Sequence, residues 1–355
     1  MSPSLYSLDP KAFADAFRIA LRDFRRSAPI LVLGHNDADG LSATALFLRA
    51  LETAGSDARA RIVGRGENPW SPEIKAELAG LELGGLIVTD LGVRNGAIIP
   101  GVPTVIVDHH VPAGMSEGAV VISGYGHEPV PTSSLLAYWC ASTLADVEPL
   151  LWIAALGLIG DMAEKAGFPE MEEARRRFGI TALREATSLI NAPRRSASGD
   201  ATPALSLLLK ASGPKEITLG EHPETAQLRA AREEVKSELE GAKRIPPKVR
   251  NGVALIRLHS PCQIHPLVAQ AWLGRLKDQI VLAANTGYRP GWVHFAVRSA
   301  AHLNLIEFLA LHAPPGADEN YGSGHAQATG GALRLDDWNC FIAGLGFGAE
   351  AQVAA

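Results

Sequence analysis

The chain has 355 residues, with 33 Lys and Arg against 38 Asp and Glu, so its formal net charge is −5. Hydrophobic residues make up 47% and charged residues 20%, a balance that excludes intrinsic disorder, a collagen-like repeat and a coiled coil. The length predicts two domains, each with its own core. The mild acidity excludes a protein that coats long nucleic acid with a basic surface, but a short nucleic-acid footprint stays open.

The cysteines and the apolar segments indicate a cytoplasmic protein. Cys140, Cys262 and Cys340 are far apart and contain no C-x-x-C pair, so neither a disulfide framework nor a zinc ribbon is expected. The start of the chain lacks the pattern of a signal peptide. The longest apolar run, residues 150–160, is too short to span a bilayer, so no membrane association is expected.

The first 165 residues alternate between predicted strands and helices. The segment ILVLG (30–34) is wholly apolar, as in a strand buried on both faces of a parallel sheet, and residues 41–54 fit a helix. RARIV, GGLIVTD and VPTVIVDHH repeat this pattern of an apolar run that ends in polar residues. The repetition predicts a doubly wound, mainly parallel α/β domain with ligand sites at the carboxyl ends of its strands.

The composition changes after this domain. Residues 171–250 hold 15 Lys and Arg against 11 Asp and Glu, and residues 222–244 read as a solvent-exposed connecting helix. Beyond them, VALIRLH, IVLAAN and GWVHFAVRS read as strands, and HPLVAQAWLGRL and LNLIEFLALHA as helices. We therefore predict a first domain at 1–190, a helical connector at 191–250, and a smaller α/β domain at 251–355.

The motif HNDADG follows the first predicted strand. In an extended loop, alternating side chains point the same way, so His35, Asp37 and Asp39 can converge on one point. Neighbouring carboxylates repel unless a cation lies between them. An EF-hand is excluded because its twelfth position would be Leu46 rather than Glu. A turn that caps the next helix stays open as the alternative, although it explains only one of the acids.

Further ionisable residues follow the later apolar runs. Asp90 ends GLIVTD, where a single acid is also a common helix cap or turn residue. Asp108, His109 and His110 end VIVDHH, and burying all three without partners would be costly. Asp161 interrupts the run LGLIGDMAE and supplies one more carboxylate.

One metal ion needs fewer ligands than these motifs supply through His35, Asp37, Asp39, Asp90, His109 and Asp161. They suit two metal ions bridged by a shared carboxylate, roughly 3.5–4 Å apart. Mixed His and carboxylate ligands favour Mn²⁺ over Mg²⁺ or Zn²⁺. Two such ions lower the pKa of a bridging water and clamp the oxygens of an in-line displacement at phosphorus, so phosphoester hydrolysis is the chemistry we expect.

The second predicted domain carries a glycine-rich loop, YGSGHAQATGG. Closely spaced glycines let backbone N–H groups approach an anion, although such turns are also common without one. Arg298 lies near the end of a predicted strand and could clamp a phosphate through two hydrogen bonds; taken alone, it also fits an ordinary surface charge.

These motifs resemble those of the DHH phosphoesterase superfamily. HNDADG, the Asp of VTD, Asp-His-His and the Asp of IGD occur in the order of that superfamily's four motifs. GSGHAQATGG and AVRS resemble motifs of the DHH-associated C-terminal domain. The spacing H-x-D-x-D-G is similar to that of the RecJ-like exonuclease branch, whose bacterial members are longer and add a strand-binding module.

The resemblance implies a role for each motif residue. Two Mn²⁺ ions, with Mg²⁺ as the substitute, would be held by His35, Asp37, Asp39, Asp90, His109 and Asp161. Asp108 would support the cluster and His110 would contact the scissile phosphate. Arg298 and the segment Gly322, Ser323, Gly324 and His325 would hold the substrate.

The expected substrate is single-stranded DNA or RNA or a short oligonucleotide, cut to mononucleotides. Two alternatives stay open at this point. One is hydrolysis of a small phosphorylated molecule such as a cyclic dinucleotide, pAp or pyrophosphate. The other is a catalytically idle nucleotide-binding protein, which the complete set of motif residues disfavours.

Overall fold

A computed structural model of the chain describes residues 8–301, 303–317 and 321–354, and for residues 323–325 the backbone only. The chain forms two compact units. The first runs to Arg194 and takes in Gly199–Ala230, and the second consists of Arg195–Ser198 and the chain from Ala231 onward. The predicted domain boundaries, at 190 and 250, stay a prediction.

The first unit is built on a parallel sheet of order β2-β1-β3-β4-β5. Its strands are β1 (Ile30–His35), β2 (Ala58–Val63), β3 (Gly85–Thr89), β4 (Thr104–Asp108) and β5 (Ala119–Ser123). Its helices are α1 (Pro10–Ala20), α2 (Ala38–Thr53), α3 (Pro72–Ala79), α4 (Ser133–Ala141), α5 (Leu151–Gly160), α6 (Pro169–Phe178), α7 (Ile180–Ile190), α8 (Thr202–Lys210) and α9 (Pro214–Leu219), and the long α10 (Pro223–Ala242) begins in it.

The central strands of this sheet, β1, β3 and β4, are buried on both faces, as their apolar sequences predict. Successive side chains of a strand point to opposite faces. Val32 and Ile87 lie in the large core shared with α2, α4 and α5, whereas Leu33 and Val88 lie in a second core with α3. The doubly wound α/β prediction is confirmed.

The second unit contains a mixed sheet of order β10-β11-β9-β8-β7-β6. Its strands are β6 (Lys248–Arg250), β7 (Val253–Leu258), β8 (Ile280–Asn285), β9 (Trp292–Ser299), β10 (Ser323–His325) and β11 (Ala328–Arg334), and its helices are α11 (His265–Leu273), α12 (Leu305–Leu311) and α13 (Leu335–Gly344). One face packs on α12 and α13 and the other on α11, which confirms a second α/β unit.

The glycine-rich segment differs from the loop that the sequence predicts. Residues 323–325 pair with Ala328–Gly330 as an antiparallel hairpin, and β11 in turn pairs with β9. Sheet pairing therefore uses backbone groups that an anion-binding loop would present to a ligand. Within the part of the chain described, no helix combines the length and apolar character needed to cross a bilayer.

Candidate metal centre

His35, Asp37 and Asp90 meet where the strand order of the first sheet reverses, between β1 and β3. His35 ends β1, and Asp90 directly follows β3. His35 Nδ1 lies 3.2 Å from Asp37 Oδ2 and 3.4 Å from Asp90 Oδ2. Such a switch point at the carboxyl edge is where open α/β sheets place their ligand sites. These three residues form the first group of the candidate centre.

The HNDADG segment reaches this arrangement differently from the extended loop we expected. Helix α2 already begins at Ala38, and Asp37 is its N-cap, accepting a hydrogen bond of 3.0 Å from the Gly40 N–H. Asp39 therefore lies in the first helical turn. The capping role and the site role, which the sequence presents as alternatives, coincide in Asp37, because one carboxylate oxygen caps the helix while the other faces His35.

Asp39 is buried against the start of another helix. Its Oδ2 accepts a hydrogen bond from the Ser133 N–H at 2.8 Å, and its Oδ1 accepts one from the Ser134 N–H at 3.0 Å. Thr132 caps this helix, α4, through its side chain. The unpaired N–H groups and the dipole of a helix N-terminus stabilise a carboxylate, so α4 fixes the orientation of Asp39.

The second group joins Asp39, His109 and Asp161. His109 Nε2 lies 3.1 Å from Asp161 Oδ2, 3.4 Å from Asp90 Oδ1 and 3.9 Å from Asp39 Oδ2. His109 directly follows β4, and Asp161 is the C-cap of α5. The six residues predicted as ligands are thus brought together in the first unit.

Asp90 belongs to the first group and also faces the second. Its Oδ2 faces His35 and its Oδ1 faces His109, each at 3.4 Å. The Ser133 hydroxyl donates a hydrogen bond to the same Oδ1 at 2.9 Å. Asp90 also has a positive φ of 63°, a conformation that costs most residues free energy but that Asp and Asn tolerate best. The fold therefore holds this carboxylate between two histidines.

The electrostatics show that the cluster attracts positive charge. Burial would lower the pKa of His35, but the attraction of Asp37 and Asp90 raises it to about 10. Burial likewise opposes protonation of His109, yet Asp161, Asp90 and Asp39 raise its pKa to about 11. Burial, reinforced by the neighbouring charges of Asp90 and Asp161, raises the pKa of Asp39 well above its usual value.

The donor set fits divalent cations. His35 Nδ1 and His109 Nε2 are buried ring nitrogens with no hydrogen-bond partner among the described residues, although each faces carboxylate oxygens. A buried polar atom without a partner is costly, and a metal ion would satisfy it. Three sets of three donors lie close enough to share an ion: His35, Asp37 and Asp90; Asp39, His109 and Asp161; and Asp90, His109 and His110.

Asp108 and His110 form a pair beside this cluster. The buried Asp108 accepts hydrogen bonds of 2.7 Å from the backbone N–H groups of Gly92 and His110, and its Oδ1 lies 3.2 Å from His110 Nδ1. The hydrogen bond to Asp108 raises the pKa of His110. Burial would raise the pKa of Asp108, but the interaction with His110 lowers it. Half of the His110 side chain is exposed, so its other ring nitrogen is available to a ligand.

Three contributors to the site were missed in the sequence. Ser133 and Ser134 follow Pro131 and Thr132 in the pattern of a helix N-terminus, and that pattern was the signal available. Arg194 Nη1 contacts Asp37 Oδ2 at 2.7 Å. Although burial opposes ionisation of Asp37, His35 and Arg194 hold its pKa far below its usual value. Sequence spacing gives no sign of this pair, because the residues are 157 positions apart.

Gly157 permits the close approach of α5. A Cβ at this position would collide with Ser134 Oγ and Asp39 Oδ1. Only a glycine therefore lets α5 lie against the first turns of α2 and α4. This packing places Asp161, at the end of α5, opposite His109.

The predicted substrate residues lie in the second unit. Arg298 is in β9, and its Nη1 donates to the carbonyl oxygens of Val297 at 2.9 Å and Thr329 at 3.2 Å. Gly322 has a φ of 79°, which favours glycine. The side chains of Ser323 and His325, and the surroundings of Gly324, lie outside what the structure describes. The substrate roles of all these residues stay predictions.

No family model matches the chain. The single-stranded-DNA-specific exonuclease RecJ of Thermus thermophilus is 28% identical over 178 residues, which cover 47% of this chain and 27% of that protein. The aligned part is thus little more than a quarter of the curated relative.

Solved structures show the same fold. Exonuclease RecJ bound to manganese superposes with a TM-score of 0.71 at 22% identity, covering 95% of this chain and 94% of that one. RecJ of Thermus thermophilus in complex with Mg²⁺ gives 0.65 at 20% identity, covering 97% of this chain and 53% of that one. The DHH domain of a member of a ribosomal-protein family gives 0.62 at 17% identity, covering 94% and 89%.

These similarities define an α/β protein of the RecJ fold. The chain is similar in sequence to part of RecJ and shares its fold, which bears out the resemblance that its motifs show.

Proposed function

We propose that the chain is a two-metal phosphodiesterase that hydrolyses single-stranded nucleic acid or short oligonucleotides to mononucleotides. One observation carries the proposal: the two oxygens of Asp90 face two different histidines, each within its own group of carboxylates. A carboxylate placed in this way would be able to bind an ion through each of its oxygens. The manganese and magnesium in the solved RecJ proteins support divalent ions here, and the mixed donors favour Mn²⁺.

The six clustered residues would hold the ions, as the sequence predicts. Bound in this way, two ions supply an activated water at neutral pH and neutralise the charge that develops at phosphorus. Asp108 orients His110 by accepting from its Nδ1, so that His110 presents Nε2 to a phosphate oxygen. The hydrogen bond to Asp108 raises the pKa of His110 and so favours its protonated form, and a cationic ring would stabilise negative charge on that oxygen.

The proposed substrate rests on the relatives and on the second unit. The curated relative is specific for single-stranded DNA, and Arg298 together with residues 322–325 would hold a phosphate of the strand. Arg298 suits this role because two backbone carbonyls fix its guanidinium. We also propose a cytoplasmic location, as the cysteine pattern indicates.

The test is hydrolysis of end-labelled DNA and RNA of graded length with Mn²⁺, Mg²⁺ or EDTA. We expect Mn²⁺-dependent release of mononucleotides, abolished by Asp37→Ala or His109→Ala. Asp15→Ala is the matched control, because among the described residues this carboxylate forms ion pairs with Lys11 and Arg18 on the surface of α1, so the change should leave turnover unchanged.

Undiminished turnover in the Asp37→Ala variant would refute the proposed centre. Turnover of cyclic dinucleotides, pAp or pyrophosphate without oligonucleotide cleavage would instead establish a small-molecule phosphoesterase. Binding of nucleotides without any hydrolysis would establish an idle binding protein.

A further inference from the structure

The loop between β7 and α11 in the second unit is held rigidly. The buried Asn285 accepts hydrogen bonds from the N–H groups of Ser260 and Gly287, both at 3.0 Å, and its amide donates to the Cys262 carbonyl at 2.9 Å. A Cβ at Gly287 would lie 2.6 Å from the Ser260 nitrogen, so this close approach requires glycine. The loop is at the carboxyl ends of the parallel pair β7 and β8, an edge at which α/β sheets place ligands.

His265 opens α11 at the end of this loop. It is 5% exposed, and its Nδ1 has no hydrogen-bond partner among the described residues. Its ring lies 5.7 Å from that of Tyr288 and 6.0 Å from that of His294, measured between centroids. The N-cap residue, Ile264, supplies no side-chain hydrogen bond to the helix. A buried imidazole without a partner therefore lies at an uncapped helix N-terminus, where the dipole favours an anion.

Basic side chains surround this imidazole. Arg195 is anchored to the same loop, since its carbonyl accepts from the Gln263 N–H at 2.9 Å and its guanidinium lies 3.4 Å from the Gln263 carbonyl oxygen. His294 and Arg298 alternate onto the same face of β9, which packs on α11 through Ala296. Burial lowers the pKa of His265 well below its ordinary value, and the neighbouring His294, Arg195 and Arg298 lower it further.

We propose that the second unit carries a phosphate site centred on His265 and completed by Arg195 and His294. A bound oxyanion gives the His265 nitrogen a partner, interacts with the helix N-terminus and neutralises the cationic groups around it. The site is separate from the glycine-rich hairpin. His294 pairs with Asn285 at one end of β9, whereas Arg298 pairs with Ala328 of the hairpin at the other.

We infer from the position of this site that the second unit favours substrates with more than one phosphate, and this inference rests on the proposed function. Four residues of strand, at about 3.3 Å each, separate the Cα atoms of His294 and Arg298 by roughly 13 Å. Two phosphate contacts at this spacing fit two phosphates of one strand and exceed what a molecule with a single phosphate can fill. The second unit therefore favours oligonucleotides over mononucleotides.

The first experiment measures binding without turnover. Inorganic phosphate is titrated into the full chain in EDTA, and the His265 ring resonances are followed by NMR. We expect saturable shifts, which Arg195→Gln weakens about 10-fold, as the loss of a charged hydrogen bond does. Arg334→Gln, a surface arginine over Trp292 in the same unit, is the control and should not alter the titration. Shifts that are absent or insensitive to Arg195→Gln would overturn the proposal.

The second experiment compares substrates of increasing length with Mn²⁺ present. His265→Phe keeps the ring packing, and we expect KM to rise by about 10-fold for a tetranucleotide and by much less for a dinucleotide. Equal effects on both substrates would refute a second phosphate contact. If the native chain hydrolyses neither substrate, the proposed function fails, whereas the phosphate titration still decides whether the site exists.

Discussion

Replacing Ser133 by Ala tests whether the orientation of Asp90 matters to the centre. The Ser133 hydroxyl donates to Asp90 Oδ1 at 2.9 Å, whereas its contact with Asp39 is made by the backbone N–H and survives the substitution. The change therefore removes one buried hydrogen bond to a charged group, worth about 1.5–3 kcal/mol. We expect divalent-metal affinity and kcat/KM to fall by about 10- to 100-fold, the range typical of residues that orient a ligand.

Ser134→Ala is the matched control. Ser134 is adjacent, equally buried and also donates its N–H to Asp39, but its hydroxyl bonds to the Ala154 carbonyl and Thr132 rather than to Asp90. The assay is Mn²⁺-dependent hydrolysis of a labelled oligonucleotide together with Mn²⁺ binding by calorimetry. Equal losses in the two variants, or no loss in Ser133→Ala, would refute the reasoning.

Three further predictions concern charge and packing in the first unit. Since the pKa values of His35 and His109 lie near 10 and 11 without metal, both are protonated at pH 7. Metal binding must therefore release these protons, and metal affinity must rise with pH. Calorimetry in buffers of different ionisation enthalpy measures the release, and zero release would contradict the prediction. Gly157→Ala forces α5 from α2 and α4 and should cost about 1–3 kcal/mol in urea unfolding, whereas Gly241→Ala, which meets open space in a helix, should be neutral or stabilising. Arg194→Gln should destabilise the metal-free chain by about 1–3 kcal/mol at pH 7, because Arg194 lowers the pKa of the carboxylate that caps α2. This stabilisation is present above the ordinary pKa of that carboxylate and is lost only as the pH falls through its much lower folded pKa. A variant as stable as the native chain at pH 7 would contradict the assignment.

The sequence predicts the first sheet well because its central strands are buried on both faces. Segments such as ILVLG can be stable only between two layers of helices, and the structure places them there. Strands β5, β6, β10 and β11 were not predicted, and the last two fall largely in the segment that was predicted as a glycine-rich loop. Strand β5 has two exposed residues, Val120 and Val121, and β6 is exposed throughout, so neither has the wholly apolar pattern of a central strand.

The sequence predicts that the six acidic and histidine residues lie at the carboxyl edge of the first sheet, but it does not predict their detailed arrangement. The carboxyl ends of neighbouring parallel strands meet, so His35, Asp90 and His109 were expected to lie close together. Two facts depend on tertiary contacts and carry no local signal. The N-terminus of α4 orients Asp39, and Arg194 reaches Asp37 from a segment far along the chain.

The most direct test of the central claim is anomalous X-ray diffraction from crystals of the chain soaked with Mn²⁺. The account predicts two manganese peaks roughly 3.5–4 Å apart, one on each side of the Asp90 carboxylate. It also predicts that Asp90→Asn, which keeps the shape and tolerates the positive φ, loses at least one peak. A single peak in the native chain, or two peaks that do not share Asp90, would contradict it.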